Sequence, residues 1–167
     1  MSPGDSSIKT ADICDRFTSS VEVCAPFLKG YGGARAFSGP ISTVEVYEDN
    51  VLVREALEDL PAGTVLVVDG GGSTRCALLG DKLASIAASR GLAGVIINGC
   101  VRDSRDLPGI DVGVLALAAT PLRSKKERTG RRDVPVQFGG VTWAPGRYVY
   151  ADEDGVVVAD EMLHDAP

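Results

Sequence analysis

The sequence predicts an α/β domain with a mixed central sheet, parallel in the middle and with antiparallel additions near the ends. Three observations predict it. Between Thr64 and Asp103 an apolar run, a glycine-rich loop, a helix-spaced segment and a second apolar run follow in the order of a βαβ unit. Two further segments, 10–19 and 50–60, carry apolar residues at helical spacing. Near the end, Arg147 to Tyr150 and Val156 to Val158 flank Asp152-Glu153-Asp154-Gly155, where Asp-Gly signals a hairpin turn.

In chain order, Thr10 is a possible N-cap for the first helix, and Ile13, Cys14 and Phe17 make its apolar face. Val21 to Phe27, broken by Pro26, and Gly39 to Tyr47 read as extended, with loop-like Lys29 to Arg35 between them. The second helix turns Leu52, Val53, Ala56, Leu57 and Leu60 inward and stops at Pro61-Ala62-Gly63. Val65 to Val68 is a β-branched run suited to a strand buried on both faces, and Asp69 ends it. Gly70-Gly71-Gly72-Ser73-Thr74 is the loop. Asp81 to about Arg90 is the third helix, with Leu83, Ile86 and Ala87 on one face and Gly91 as the stop. Gly94 to Gly99 and Asp111 to Leu117 are further strand candidates. Pro121 to Asp133 is polar and basic and reads first as a solvated, mobile loop, with binding of an anion or a partner by Arg123 to Arg128 and Arg131-Arg132 as the second reading; Pro135 to Trp143 is strand-like up to the Pro145-Gly146 turn.

At 167 residues the chain is read as one domain, 1–167, with enough length for a substantial core. Seventeen Lys and Arg against 23 Asp and Glu give a net charge of −6, which counts against a broad nucleic-acid-binding surface. No run is long enough for a membrane-spanning helix, and Met1 to Ser7 lacks the basic and apolar parts of a secretory signal. Cys14, Cys24, Cys76 and Cys100 form no C-x-x-C pair, and His164 is the single histidine, so no zinc constellation exists. Reduced thiols in a cytoplasmic protein are the expectation.

A right-handed βαβ crossover brings the start of its helix and the end of its second strand to one edge of the sheet. Gly80-Asp81-Lys82-Leu83 and Arg102-Asp103 should therefore share a crevice. Helix N-terminal N–H groups suit a carboxylate or phosphate, Arg102 supplies a planar cationic fork, and Asp81 with Asp103 supplies two carboxylates. Such a set suits an oxo-acid held with a hard divalent cation. Taken singly, Asp81 also reads as a helix-dipole partner and Arg102-Asp103 as a surface pair.

Asp81, 20 intervening residues, then Arg102-Asp103 resembles the D-x20-R-D pattern of the RraA-like and 4-hydroxy-4-methyl-2-oxoglutarate aldolase family. Thr10 to Asp15, Val67 to Ser73, Phe138 to Thr142 and Tyr150-Ala151-Asp152 are similar to that family too, so the resemblance spans nearly the whole chain. It implies a swivelling β/β/α-type domain assembled as a trimer or doubled trimer. It also implies a metal-dependent (Mg²⁺ or Mn²⁺) lyase that cleaves 4-hydroxy-4-methyl-2-oxoglutarate or 4-carboxy-4-hydroxy-2-oxoadipate to pyruvate, with oxaloacetate decarboxylase activity. By the same resemblance, Gly80 to Leu83 and Arg102 bind substrate, Asp103 ligates the metal, and Asp81 acts through a water on that metal. Both reactions pass through a pyruvate enolate.

The family also implies an alternative, a non-catalytic regulator of ribonuclease E. The enteric regulator lacks a carboxylate where this chain has Asp103, which favours the enzyme. A nucleotide or S-adenosylmethionine site at the triple glycine fails on spacing, because G-x-G-x-x-G from Gly70 would need glycine at Arg75. Arg75 is left with two readings, a contact to a distal carboxylate or a loop support. Asp152 to Asp154 reads as a solvated turn and Trp143 as packing.

Overall fold

The computed structural model describes residues 7–163. His164 therefore lies outside the described residues. Three α-helices and twelve strands are present among them: α1 (Thr10–Phe17), β1 (Val21–Val23), β2 (Lys29–Gly30), β3 (Phe37–Glu45), α2 (Val51–Asp59), β4 (Val65–Asp69), β5 (Ala77–Leu79), α3 (Asp81–Ser89), β6 (Gly94–Val101), β7 (Gly113–Ala119), β8 (Arg131–Arg132), β9 (Val136–Phe138), β10 (Val141–Trp143), β11 (Tyr148–Asp152) and β12 (Gly155–Ala159).

The main sheet runs β1-β12-β11-β3-β4-β6-β7-β2, with β5 on β6 and β8 on β3. Its centre, β3-β4-β6-β7, is parallel, and the flanking pairs are antiparallel, as the sequence predicts. Period-two alternation sorts the central side chains between two layers. Leu66 and Val68 join the core beneath α2 and α3, whereas Val65 and Val67 join Trp143 and Val149 on the other face. All four are fully buried, and each contributes roughly 1.5–3 kcal/mol relative to exposure. The layers are thus a β9–β10 hairpin, the sheet, and two helices.

The strand-like stretch Pro135 to Trp143 is that hairpin, turned at Gly139-Gly140, both with positive φ. Trp143 is packing: it is fully buried, stacks on Phe138 with ring centroids 4.8 Å apart, and donates its indole N–H to the Phe138 carbonyl. Thr10 is the first helical residue rather than the N-cap. Its N–H and hydroxyl donate to Asp152 at 2.8 and 2.6 Å, so the hairpin carboxylate caps α1 from 142 residues away. All four cysteines are free thiols.

The segment Pro121 to Asp133 is fastened rather than mobile. Arg128, Arg131 and Arg132 pair with Glu55, Glu45 and Asp59. Beneath them Asp49, 1% exposed, accepts the N–H groups of Val51, Glu127 and Thr129, capping α2 and pinning the strap together. Burial alone would raise its pKa, but those hydrogen bonds to the charged form outweigh it and the net shift is downward. Asp49→Ala should cost about 2–4 kcal/mol in denaturant unfolding. Because the folded-state pKa is depressed, the contribution of Asp49 is complete above the ordinary value of 3.8. It is lost as pH falls through the lower folded value, so wild type and variant should converge in stability toward strong acid.

Candidate active site

β5 positions the site and is the element that pattern reading passes over. Its three residues are buried and pair in parallel with β6, Ala77 opposite Cys100 and Leu79 opposite Val101. The chain then enters α3 through Gly80 at the same edge where β6 releases Arg102. The Arg102 N–H donates to the Leu79 carbonyl at 2.9 Å, closing the two ends on each other. Gly80, Asp81, Lys82, Leu83, Arg102 and Asp103 line one crevice of about 540 Å³.

Asp103 is held in an unusual way. Its φ is +58°, a left-handed conformation that aspartate tolerates better than most residues. The turn behind it fixes that conformation, because its carbonyl accepts the N–H groups of Asp106 and Leu107, and Leu107 is fully buried. Its Oδ2 accepts the Asp81 N–H at 3.0 Å. That bond above all, with the Arg102 and Lys82 cations adding, lowers its pKa, so the group is ionised at neutral pH. One of the four N-terminal helix N–H groups is thereby committed to the protein. Those of Lys82 and Leu83, which have no intrahelical acceptor, remain for a ligand.

Gly80 itself has extended backbone that any residue adopts, φ −129°. Glycine is needed there for room, since a Cβ would lie 2.5 Å from Asp103 Oδ2 and 3.2 Å from Arg102 Cγ. The triple glycine also makes room for protein. A Cβ on Gly70 would meet Leu78 at 2.6 Å and the Asn98 carbonyl at 2.8 Å, and the N–H groups of Gly70 and Gly72 both donate to that carbonyl. Arg75 supports the loop: its guanidinium forms a two-pronged pair with Glu48 at 2.6 and 2.9 Å, and Ser73 donates to the same carboxylate. Arg75 does not line the crevice.

The far wall includes Asn50, Arg54, Arg123 and Lys126; sequence reasoning gave anion binding by Arg123 and Lys126 only as the lesser reading, did not place them in this crevice, and missed Asn50 and Arg54. Arg123 arrives because the chain after β7 forms a parallel bridge to Ala77. The apolar triplet Ala77-Leu78-Leu79 was the available signal for it. Five cationic side chains against two carboxylates give the crevice a net positive lining, which suits an anion.

No cage of three or more His, Cys, Asp or Glu side chains exists among the described residues. The donor set still fits a hard divalent ion. Asp103 would offer an ionised oxygen donor with Asp81 beside it, and Mg²⁺ commonly uses one or two carboxylates and fills its other positions with water and substrate.

Fold and crevice together define a mixed α/β protein with a cation-lined crevice where a parallel strand meets a helix N-terminus. The chain belongs to the RraA-like family (Aldolase/RraA), whose model matches residues 10–158. A Bacillus anthracis protein named "Putative 4-hydroxy-4-methyl-2-oxoglutarate aldolase" is 54% identical over 156 residues, 93% of this chain and 98% of that protein. A Geobacillus kaustophilus structure described as an S-adenosylmethionine:2-dimethylmenaquinone methyltransferase superposes with a TM-score of 0.92 at 62% identity, covering 93% of this chain and 97% of that one. The RNA-processing inhibitor RraA of Thermus thermophilus superposes with a TM-score of 0.90 at 45% identity, covering 94% and 95%. No helix among the described residues is long and apolar enough to cross a membrane.

Proposed function

We propose that this protein is a divalent-metal-dependent aldolase. On this reading it releases pyruvate from 4-hydroxy-4-methyl-2-oxoglutarate or 4-carboxy-4-hydroxy-2-oxoadipate, and decarboxylates oxaloacetate. The observation that carries the reading is the ionised Asp103 locked to the start of α3 beside Arg102. The names of relatives about half identical to this chain support it.

Asp103 would hold the ion, which when bound supplies Lewis-acid stabilisation of charge developing on the keto oxygen. The residues of the chain do the rest. The free N–H groups of Lys82 and Leu83 receive the C1 carboxylate. Arg102 stabilises negative charge as the C3–C4 bond electrons move into the C2 carbonyl and leave the pyruvate enolate. Asp81 takes the proton of the C4 hydroxyl through a water, which aldol cleavage requires and decarboxylation does not. A cytoplasmic trimer or doubled trimer is part of the same proposal, and light scattering would measure its size.

The test is pyruvate release from 4-hydroxy-4-methyl-2-oxoglutarate and from oxaloacetate, with and without Mg²⁺ or Mn²⁺. Absence of metal-dependent turnover of either would favour the second reading, a regulator of ribonuclease E, which the name of the Thermus relative supports. Capture of ribonuclease E by the purified protein would then be the measurement. Methyl transfer has no support in the spacing of the glycine loop, and Gly70 is needed for packing, since a Cβ there would meet Leu78 and the Asn98 carbonyl. Gly80→Ala pushes Asp103 and Arg102 away from the start of α3. It should lower kcat/KM by about tenfold to a hundredfold while the protein stays folded.

A further inference from the structure

The oxo-acid reading uses one flank of α3 and leaves the other unexplained. β5 has two parallel neighbours. On one side β6 leads into Arg102; on the other, Ala77 bridges Arg123 and donates its N–H to the Leu122 carbonyl at 2.7 Å. Ala77 lies between Cys100 and Arg123, so two strand spacings, roughly 10 Å, separate the Arg123 backbone from Cys100, two residues before Arg102 on the same strand edge.

The platform under Arg123 is well fastened. Ser124 is buried, the Lys125 N–H donates to the Glu48 carbonyl at 2.9 Å, and the Asn50 N–H donates to the Lys125 carbonyl at 3.4 Å. Its guanidinium, however, has no hydrogen bond or ion pair among the described residues. Arg54, Arg75, Arg128, Arg131 and Arg132 each hold a carboxylate of the protein. Arg102 is the other crevice arginine without one. A crevice of about 540 Å³ also leaves space beyond the carboxylate and keto group of a three-carbon acid.

We infer that Arg123 is the specificity-determining residue that receives the distal carboxylate of the substrate, so that the crevice selects 2-oxo dicarboxylates over 2-oxo monocarboxylates of equal length. The inference rests on the oxo-acid reading of the crevice. Arg102 and the α3 N–H groups hold the C1 end, and the planar fork of Arg123 pairs with the far carboxylate. Arg75, the sequence candidate for this contact, is committed to Glu48.

Binding of 2-oxoglutarate and 2-oxopentanoate to the Mg²⁺-loaded protein, measured by titration calorimetry, tests this. The two acids share a five-carbon backbone and differ in the distal carboxylate, and neither carries the C4 hydroxyl that aldol cleavage needs. Wild type should bind 2-oxoglutarate about tenfold to a hundredfold more tightly. Arg123→Gln should reduce that ratio to below about threefold, and Arg123→Lys should leave it intermediate. Arg35→Gln, in a separate cavity of about 320 Å³, should keep the wild-type ratio. An unchanged ratio in Arg123→Gln, or no preference in wild type, overturns the inference. A preference that Arg123→Gln erases, in a protein that releases no pyruvate from any substrate, upholds it and overturns the aldolase reading. Pyruvate release by wild type with an unchanged ratio in the variant does the reverse.

Discussion

Asp103→Asn is expected to lower pyruvate release from 4-hydroxy-4-methyl-2-oxoglutarate and from oxaloacetate alike, by about 10³-fold or more. Asparagine is the informative substitution because it tolerates the φ of +58° and its amide oxygen can still accept the Asp81 N–H. Charge is removed while the turn is kept. Asp103→Ala should be equally inactive but less stable, since alanine adopts left-handed backbone at a cost of roughly 1–2 kcal/mol. Steady-state kinetics at saturating Mg²⁺, with melting curves alongside, separate the two effects. Retention of more than about a tenth of the activity by Asp103→Asn would remove the carboxylate from the proposed chemistry.

Asp81→Ala is expected to divide the two reactions. Aldol cleavage should fall by about 10²–10⁴-fold, the usual contribution of a positioned general base. Decarboxylation, which has no hydroxyl proton to remove, should stay within about tenfold of wild type. Loss of a favourable anion at the first position of α3 costs only about 0.3–1 kcal/mol, so the fold should be intact. Equal losses in both reactions would show that Asp81 positions substrate or ion rather than moving the proton.

These two residues were legible as a pair because a right-handed crossover permits only one placement for their ends. Val65 to Val68 and Gly94 to Gly99 had to be parallel strands on the strength of their buried apolar runs, and α3 had to return the chain between them. The far wall followed from no such rule. Arg123 sits in a basic stretch whose composition matches a solvated loop. Its order comes from Asp49, Glu45, Glu55 and Asp59, which lie 64 or more residues earlier. Arg75 and Arg123 look equivalent as text. Only the placement of Glu48 commits the first to the glycine loop and leaves the second facing the crevice residues.

The sequence by itself therefore determined the α/β class, the parallel centre of the sheet, the three helices and the two ends of the crossover. Each rests on local periodicity or on a chirality rule that acts over few residues. Tertiary structure alone decided that β5 is a strand, that Asp152 caps α1, that the basic segment is a strap and that Arg123 completes the crevice. Those outcomes depend on hydrogen bonds and ion pairs between residues distant in the chain. Nothing in the neighbouring residues encodes which of several possible partners the folded chain brings within reach.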